Sequence, residues 1–119
     1  MKKTFTAGLV IGALVILPIG VGITYWLVKN IQNTRATVLY VEAHEHIKKN
    51  EVSRALAKLN QSVGADPYRD LTHLALAELY EKVGDKKLAL QEFELTNLLC
   101  EGCYKIDEKI RRLQDHKYK

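Results

Sequence analysis

Residues 4–28 contain no Asp, Glu, Lys or Arg, and the stretch 7–28 is almost wholly apolar. A run of that length exceeds the short apolar core of a secretory signal, and it ends in Tyr25-Trp26-Leu27-Val28-Lys29 without a small-x-small cleavage site. It is long enough for one helix to cross about 30 Å of hydrocarbon, with Tyr25 and Trp26 at headgroup level and Lys29 just beyond. The expectation is an uncleaved transmembrane signal-anchor over residues 1–29. Lys2 and Lys3 on one side are nearly balanced by Lys29 and Arg35 on the other. A short basic N-terminus before such a segment favours N-in topology. In a bacterium that places an inner-membrane anchor beneath a periplasmic C-terminal domain.

Other shortages narrow the function. Only two cysteines occur, in Cys100-Glu101-Gly102-Cys103, so four thiolate ligands for zinc are unavailable. Residue 104 is Tyr, which excludes the haem-attachment pattern C-x-x-C-H. No βαβ pattern surrounds the pair, as a thiol-redox motif would require. A local disulfide at Cys100 and Cys103, two free thiols, and a metal or redox role remain open readings. No glycine-rich phosphate loop, nucleophile–base arrangement or catalytic carboxylate pair is present. His44-Glu45-His46 puts its imidazoles on different faces of a helix, a poor start for a metal site. Neither a cofactor nor a metal is expected, and the chain is read as non-enzymatic. The net charge of +4 is shared between the anchor's flank and a nearly neutral remainder without a block of like charge. That gives no case for nucleic acid. No segment alternates with period two, so no strand is expected.

What is there is helical, and it repeats. Leu71, Leu74, Leu76, Leu79 and Tyr80 recur at helical spacing, as do Leu88, Leu90, Phe93, Leu95, Leu98 and Leu99. Between them Gly84 can end one helix in the left-handed conformation and Asp85 can cap the next. One constant shift superposes Ala77 on Ala43, Ala89 on Ala55, Leu90 on Leu56, Phe93 on Leu59 and Tyr80 on His46. Helices are expected near 34–49, 52–64, 67–82, 86–99 and 104–116, the third beginning with Pro67 behind an Asp66 cap. The last would carry Ile106, Ile110 and Leu113 on one stripe and close the stack. The domain plan is anchor 1–29, juxtamembrane linker 30–35, two repeats over 36–103, and a capping helix and tail over 104–119.

Leu76-Ala77, Tyr80, Gly84, Ala89 and Phe93 resemble the tetratricopeptide repeat at its characteristic positions. His73 stands for its usual tryptophan and Thr96 for its last small residue. The first unit resembles it less closely, lacking the tyrosine and carrying Asn50 at the turn glycine. The resemblance implies an all-α fold: a transmembrane helix followed by an α-solenoid of about two helical hairpins and a capping helix. It also implies a partner-binding concave face lined by the first helix of each pair. Carried over by position, that face comprises Tyr40, His44 and Ile47, then Leu74, Glu78, Glu81 and Lys82. The basic-and-asparagine clamp that some co-chaperones of the family place on C-terminal carboxylates is absent from these positions. Within the anchor, Gly8 and Gly12 are spaced for close helix packing, and Pro18 is expected to kink the span. The implied partners are therefore another protein on the repeat face and a membrane protein beside the anchor. The expected role is an accessory, assembly or scaffold subunit of a bacterial membrane complex. An import-receptor-like protein with a cytosolic domain, or a thiol-redox or haem-handling biogenesis factor, are the alternatives.

Overall fold

A computed structural model describes the backbone of residues 2–115 and the side chains of residues 18–115. The described residues are all-helical, with five helices and no strand: α1 (Lys2–Lys48), α2 (Val52–Ala65), α3 (Asp70–Val83), α4 (Lys86–Leu99) and α5 (Asp107–Asp115). The chain divides into two compact units, Met1–Asn33 and Thr34–Lys119.

In the first unit Pro18 lies inside α1 and is solvent-exposed. Gly8 and Gly12, read as packing positions, lie outside the residues whose side chains are described, as does much of the expected anchor. Within residues 18–115, whose side chains are described, no helix is long and apolar enough to cross a membrane. Residues 30–35, read as a linker, are helical, because neither Gly nor Pro interrupts α1 there.

The second unit is built from spacing. Ala36, Leu39 and Ala43 form one buried stripe on α1; Ala55, Leu59 and Ser62 form another on α2. α3 is buried on two sides, through Thr72, His73, Ala75, Leu76, Ala77 and Leu79. One core joins Ala43, Ala55 and Leu59 to Ala75, Leu76 and Leu79. A second joins Ala77 of α3 and Ala89, Leu90 and Phe93 of α4 to Ile106 and Leu113. The alanines at 43, 55, 77 and 89 have no exposed surface. Each leaves room for a neighbouring backbone, and Leu59 and Phe93 fill the space beside them. Burying a side chain of that size contributes about 1.5–3 kcal/mol.

The helix expected to start near 34 is continuous with the preceding segment in α1, and two further helix starts differ from expectation. α3 begins at Asp70, not Pro67. Asp66 serves as the C-cap of α2, and its Oδ1 accepts the Tyr68 N–H at 3.2 Å, so residues 66–69 form a turn. α5 begins at Asp107, not Tyr104. Gly102 holds φ 73°, and the chain turns through 101–104 before Ile106 donates to the Tyr104 carbonyl at 2.8 Å. Residue 116, the expected last position of α5, lies outside the described residues.

Candidate partner-binding face

Three helices stand in the same repeat register. Tyr104 follows Asp70 by the same interval that separates Asp70 from Ala36. Ile106, Ile110 and Leu113 of the third unit thus occupy the places of Thr72, Leu76 and Leu79. The C-terminal part of α1, then α3, then α5 follow one another at this interval, and the expected site residues lie on the first two.

Tyr40 and His44 come together on α1, their ring centroids 4.5 Å apart in an edge-on arrangement. The Arg69 guanidinium lies 5.6 Å from the Tyr40 ring centroid, within cation–π range. Burial raises the Tyr40 pKa, the positive charge of Arg69 lowers it, and the negative charge of Glu78 raises it again. Nε2 of His44 is buried and has no hydrogen-bond partner among the described residues. Ile47 and Leu74 are half-buried and pack respectively against the first and second cores.

Glu78 and Glu81 meet at one cation. Lys109 Nζ of α5 lies 3.7 Å from Glu78 Oε1 and 3.3 Å from Glu81 Oε2, and 5.2 Å from the Phe93 ring centroid. The Glu78 side chain remains 57% exposed beside Lys109. Lys82 points elsewhere and donates to Asn50 Oδ1 at 2.9 Å, spanning the ends of α1 and α3. Of the seven expected residues, then, Tyr40 pairs with His44 and Glu78 with Glu81. Ile47 and Leu74 serve the cores, and Lys82 serves a helix end.

Sequence reasoning missed Arg69, Asp70, Tyr104 and Lys109. The Tyr104 hydroxyl donates to Asp70 Oδ2 at 2.9 Å, and burial together with that carboxylate raises the tyrosine pKa. The repeat period runs past the cysteines into α5 and puts Tyr104 in register with Asp70, but it does not show that the two bond, and it gives no sign of Arg69 or Lys109. Cys100 and Cys103 are joined as a disulfide across the turn after α4, their Cα atoms 5.5 Å apart. His46, the other imidazole of the His44-Glu45-His46 run, faces Glu51, with Nδ1 2.6 Å from Oε2. Among the described residues no three His, Cys, Asp or Glu side chains gather as a metal site. The sequence matches no protein-family model and no curated protein.

Proposed function

We propose that this chain is a membrane-tethered, non-enzymatic protein-interaction module of the tetratricopeptide type, serving as an accessory or assembly subunit of a bacterial membrane complex. The observation that carries this reading is the recurrence of geometry as well as sequence at one fixed interval along the chain. Positions 43, 55, 59 and 62 and positions 77, 89, 93 and 96 are all fully buried. The ends of α1 and α3 also close with the same hydrogen bonds. Stacked hairpins of this kind leave their first helices as a recognition surface. Here that surface offers an aromatic pair, Tyr40 and His44, and an exposed Glu78 side chain. Such groups suit a peptide or helix with one apolar anchor and a nearby cation.

The membrane segment is residues 1–29, with the N-terminus in the cytoplasm and the repeat domain in the periplasm. The Cys100–Cys103 disulfide supports that side of the membrane, since such bonds persist in oxidising compartments. An import-receptor-like protein would keep its domain in the cytosol. Alkylation of intact cells separates the two: cysteines that resist alkylation until reduction fit the periplasm, and freely modified ones sink that placement.

The binding role is tested by purifying the full chain in mild detergent and identifying what co-purifies. Tyr40→Ala and Glu78→Lys should each reduce recovery of the partner at least several-fold while leaving helical content unchanged. Full retention by both variants would remove this face from the proposal. Gly8→Leu with Gly12→Leu tests the anchor separately. Membrane abundance should persist, while recovery of a partner packed against the span should fall.

A further inference from the structure

His73 is the only titratable side chain among the buried residues described, 4% exposed within the packing of α3 on α4. Its Nδ1 lies 2.7 Å from Glu92 Oε2 on α4, and its Nε2 lies 3.0 Å from the Pro67 carbonyl oxygen. A carbonyl and an ionised carboxylate can only accept, whereas a neutral imidazole has one N–H to give. Making both bonds at once requires one proton more than neutral histidine and carboxylate carry between them. That holds whether the proton rests on Nδ1 or on the Glu92 carboxyl. The charged groups facing the ring are Glu92 from α4 and Asp66 from the turn before α3, both acidic.

That turn also reaches the face described above. Residues 66–69 carry Arg69 to the Tyr40 ring and lead into Asp70, which receives the Tyr104 hydroxyl. The Pro67 carbonyl held by His73 belongs to the same turn, so the imidazole ties α4 to the segment that positions both residues. We infer that His73 and Glu92 form a protonation-dependent clasp that keeps Arg69 and Asp70 seated against Tyr40 and Tyr104. Losing the shared proton gives up one of the two bonds and loosens that end of the face. Any consequence for partner binding rests on the proposed role of this face; the clasp itself does not.

The direction follows from the surroundings. The Glu92 hydrogen bond is the largest influence and raises the His73 pKa; burial opposes it, and Pro67 and Asp66 add to the rise. A histidine whose folded pKa is raised stabilises fully below its unfolded value of about 6.5 and loses that contribution as pH climbs through the folded value. The face is therefore firmest on the acid side of neutrality.

The test uses the full chain in a mild non-ionic detergent, with isotope-labelled histidine and tyrosine rings followed by NMR from acid to mildly alkaline pH. The His73 signal is assigned by its absence in His73→Gln. It should titrate above the ordinary histidine range, and the Tyr40 and Tyr104 rings should shift with the same midpoint. Glu92→Gln should lower that midpoint by at least about one pH unit. A His73 midpoint at or below the ordinary value overturns the clasp, and so do tyrosine signals that ignore its titration. If Glu92→Gln fails to fold, the wild-type titration still decides. Failure to find a partner would count only against the binding role.

Discussion

Asn50 and Gly84, at matching positions of successive repeats, both hold left-handed backbone at the end of a helix, with φ 59° and 89°. Behind them the chain closes identically. Glu51 N–H bonds the His46 carbonyl at 2.9 Å and Asn50 N–H the Ile47 carbonyl at 3.0 Å. Asp85 N–H bonds the Tyr80 carbonyl at 3.0 Å and Gly84 N–H the Glu81 carbonyl at 3.2 Å. This double closure satisfies carbonyls that the last helical turn would leave unpaired. Glycine reaches the conformation without cost, and asparagine is among the few other residues that visit it routinely.

The two turns should respond to substitution in the same way, through backbone conformation. A Cβ added at Gly84 would meet nothing within 4 Å, so Gly84→Ala is penalised by backbone conformation alone. Its cost should be about 1–2 kcal/mol in urea unfolding. Asn50→Ala should cost a similar amount. Asn50→Gly should be close to neutral, because relief of the positive φ offsets the lost bond from Lys82. An Asn50→Gly variant as unstable as Asn50→Ala would show that the Lys82 contact, not the backbone, governs this turn.

The pair also shows how far the sequence could be read. The helix boundaries at Gly84 and Asp85 were legible because glycine and a capping aspartate mark them; Asp85 Oδ1 indeed accepts the Leu88 N–H at 3.1 Å. Asn50 looked like a departure from the repeat because its identity differs, although its conformation does not. The buried alanines followed from spacing, but a polar contact across elements has no period. Nothing local in His73 announces that Glu92 and Pro67 will bracket it, and nothing in Tyr104 announces Asp70. Asp66-Pro67 misled for a related reason, since aspartate caps a turn as readily as a helix.

Size at the helix crossings is the next test. Ala89 and Phe93 are fully buried one helical turn apart. Ala89→Leu should destabilise by roughly 1–3 kcal/mol, because the close approach of α3 and α4 leaves no room for added methylenes. Phe93→Ala should cost about 3–5 kcal/mol by leaving a cavity at the centre of the second core. Thermal unfolding followed by circular dichroism reads both. An Ala89→Leu variant melting like the parent would contradict the hairpin packing.

The disulfide should matter little to stability. Cys100 and Cys103 are close neighbours in sequence, so the loop they close is small. The chain-entropy relation gives at most about 2 kcal/mol for such a loop. Cys100→Ser with Cys103→Ser should therefore lower the melting temperature modestly and leave the helical content intact. A chelator should leave the circular-dichroism signal of the parent unchanged, and melting on chelation would reassign the pair to a metal.

Ser62 and Thr96 occupy the same place in successive units, both fully buried, yet their removal should differ. Ser62 Oγ donates to the Ala36 carbonyl at 2.9 Å and lies 3.0 Å from Thr72 Oγ1, from which it can accept, so it links α1, α2 and α3. Thr96 Oγ1 donates to the Glu92 carbonyl of its own helix at 2.7 Å. The difference arises one repeat onward, where the residue matching Thr72 is Ile106, which has no hydroxyl to offer. Ser62→Ala takes a partner from the Thr72 hydroxyl in a dry interior and breaks the bond that joins α2 to the Ala36 carbonyl of α1, at a cost of about 1–3 kcal/mol. Thr96→Val preserves shape, and the Glu92 carbonyl keeps its helical bond from the Thr96 N–H, so the loss should stay below about 1 kcal/mol. Urea unfolding of the two variants measures the gap directly. Equal losses would mean that the hydroxyl of Ser62 is as dispensable as that of Thr96, and that α1 and α3 are joined across α2 by apolar packing alone.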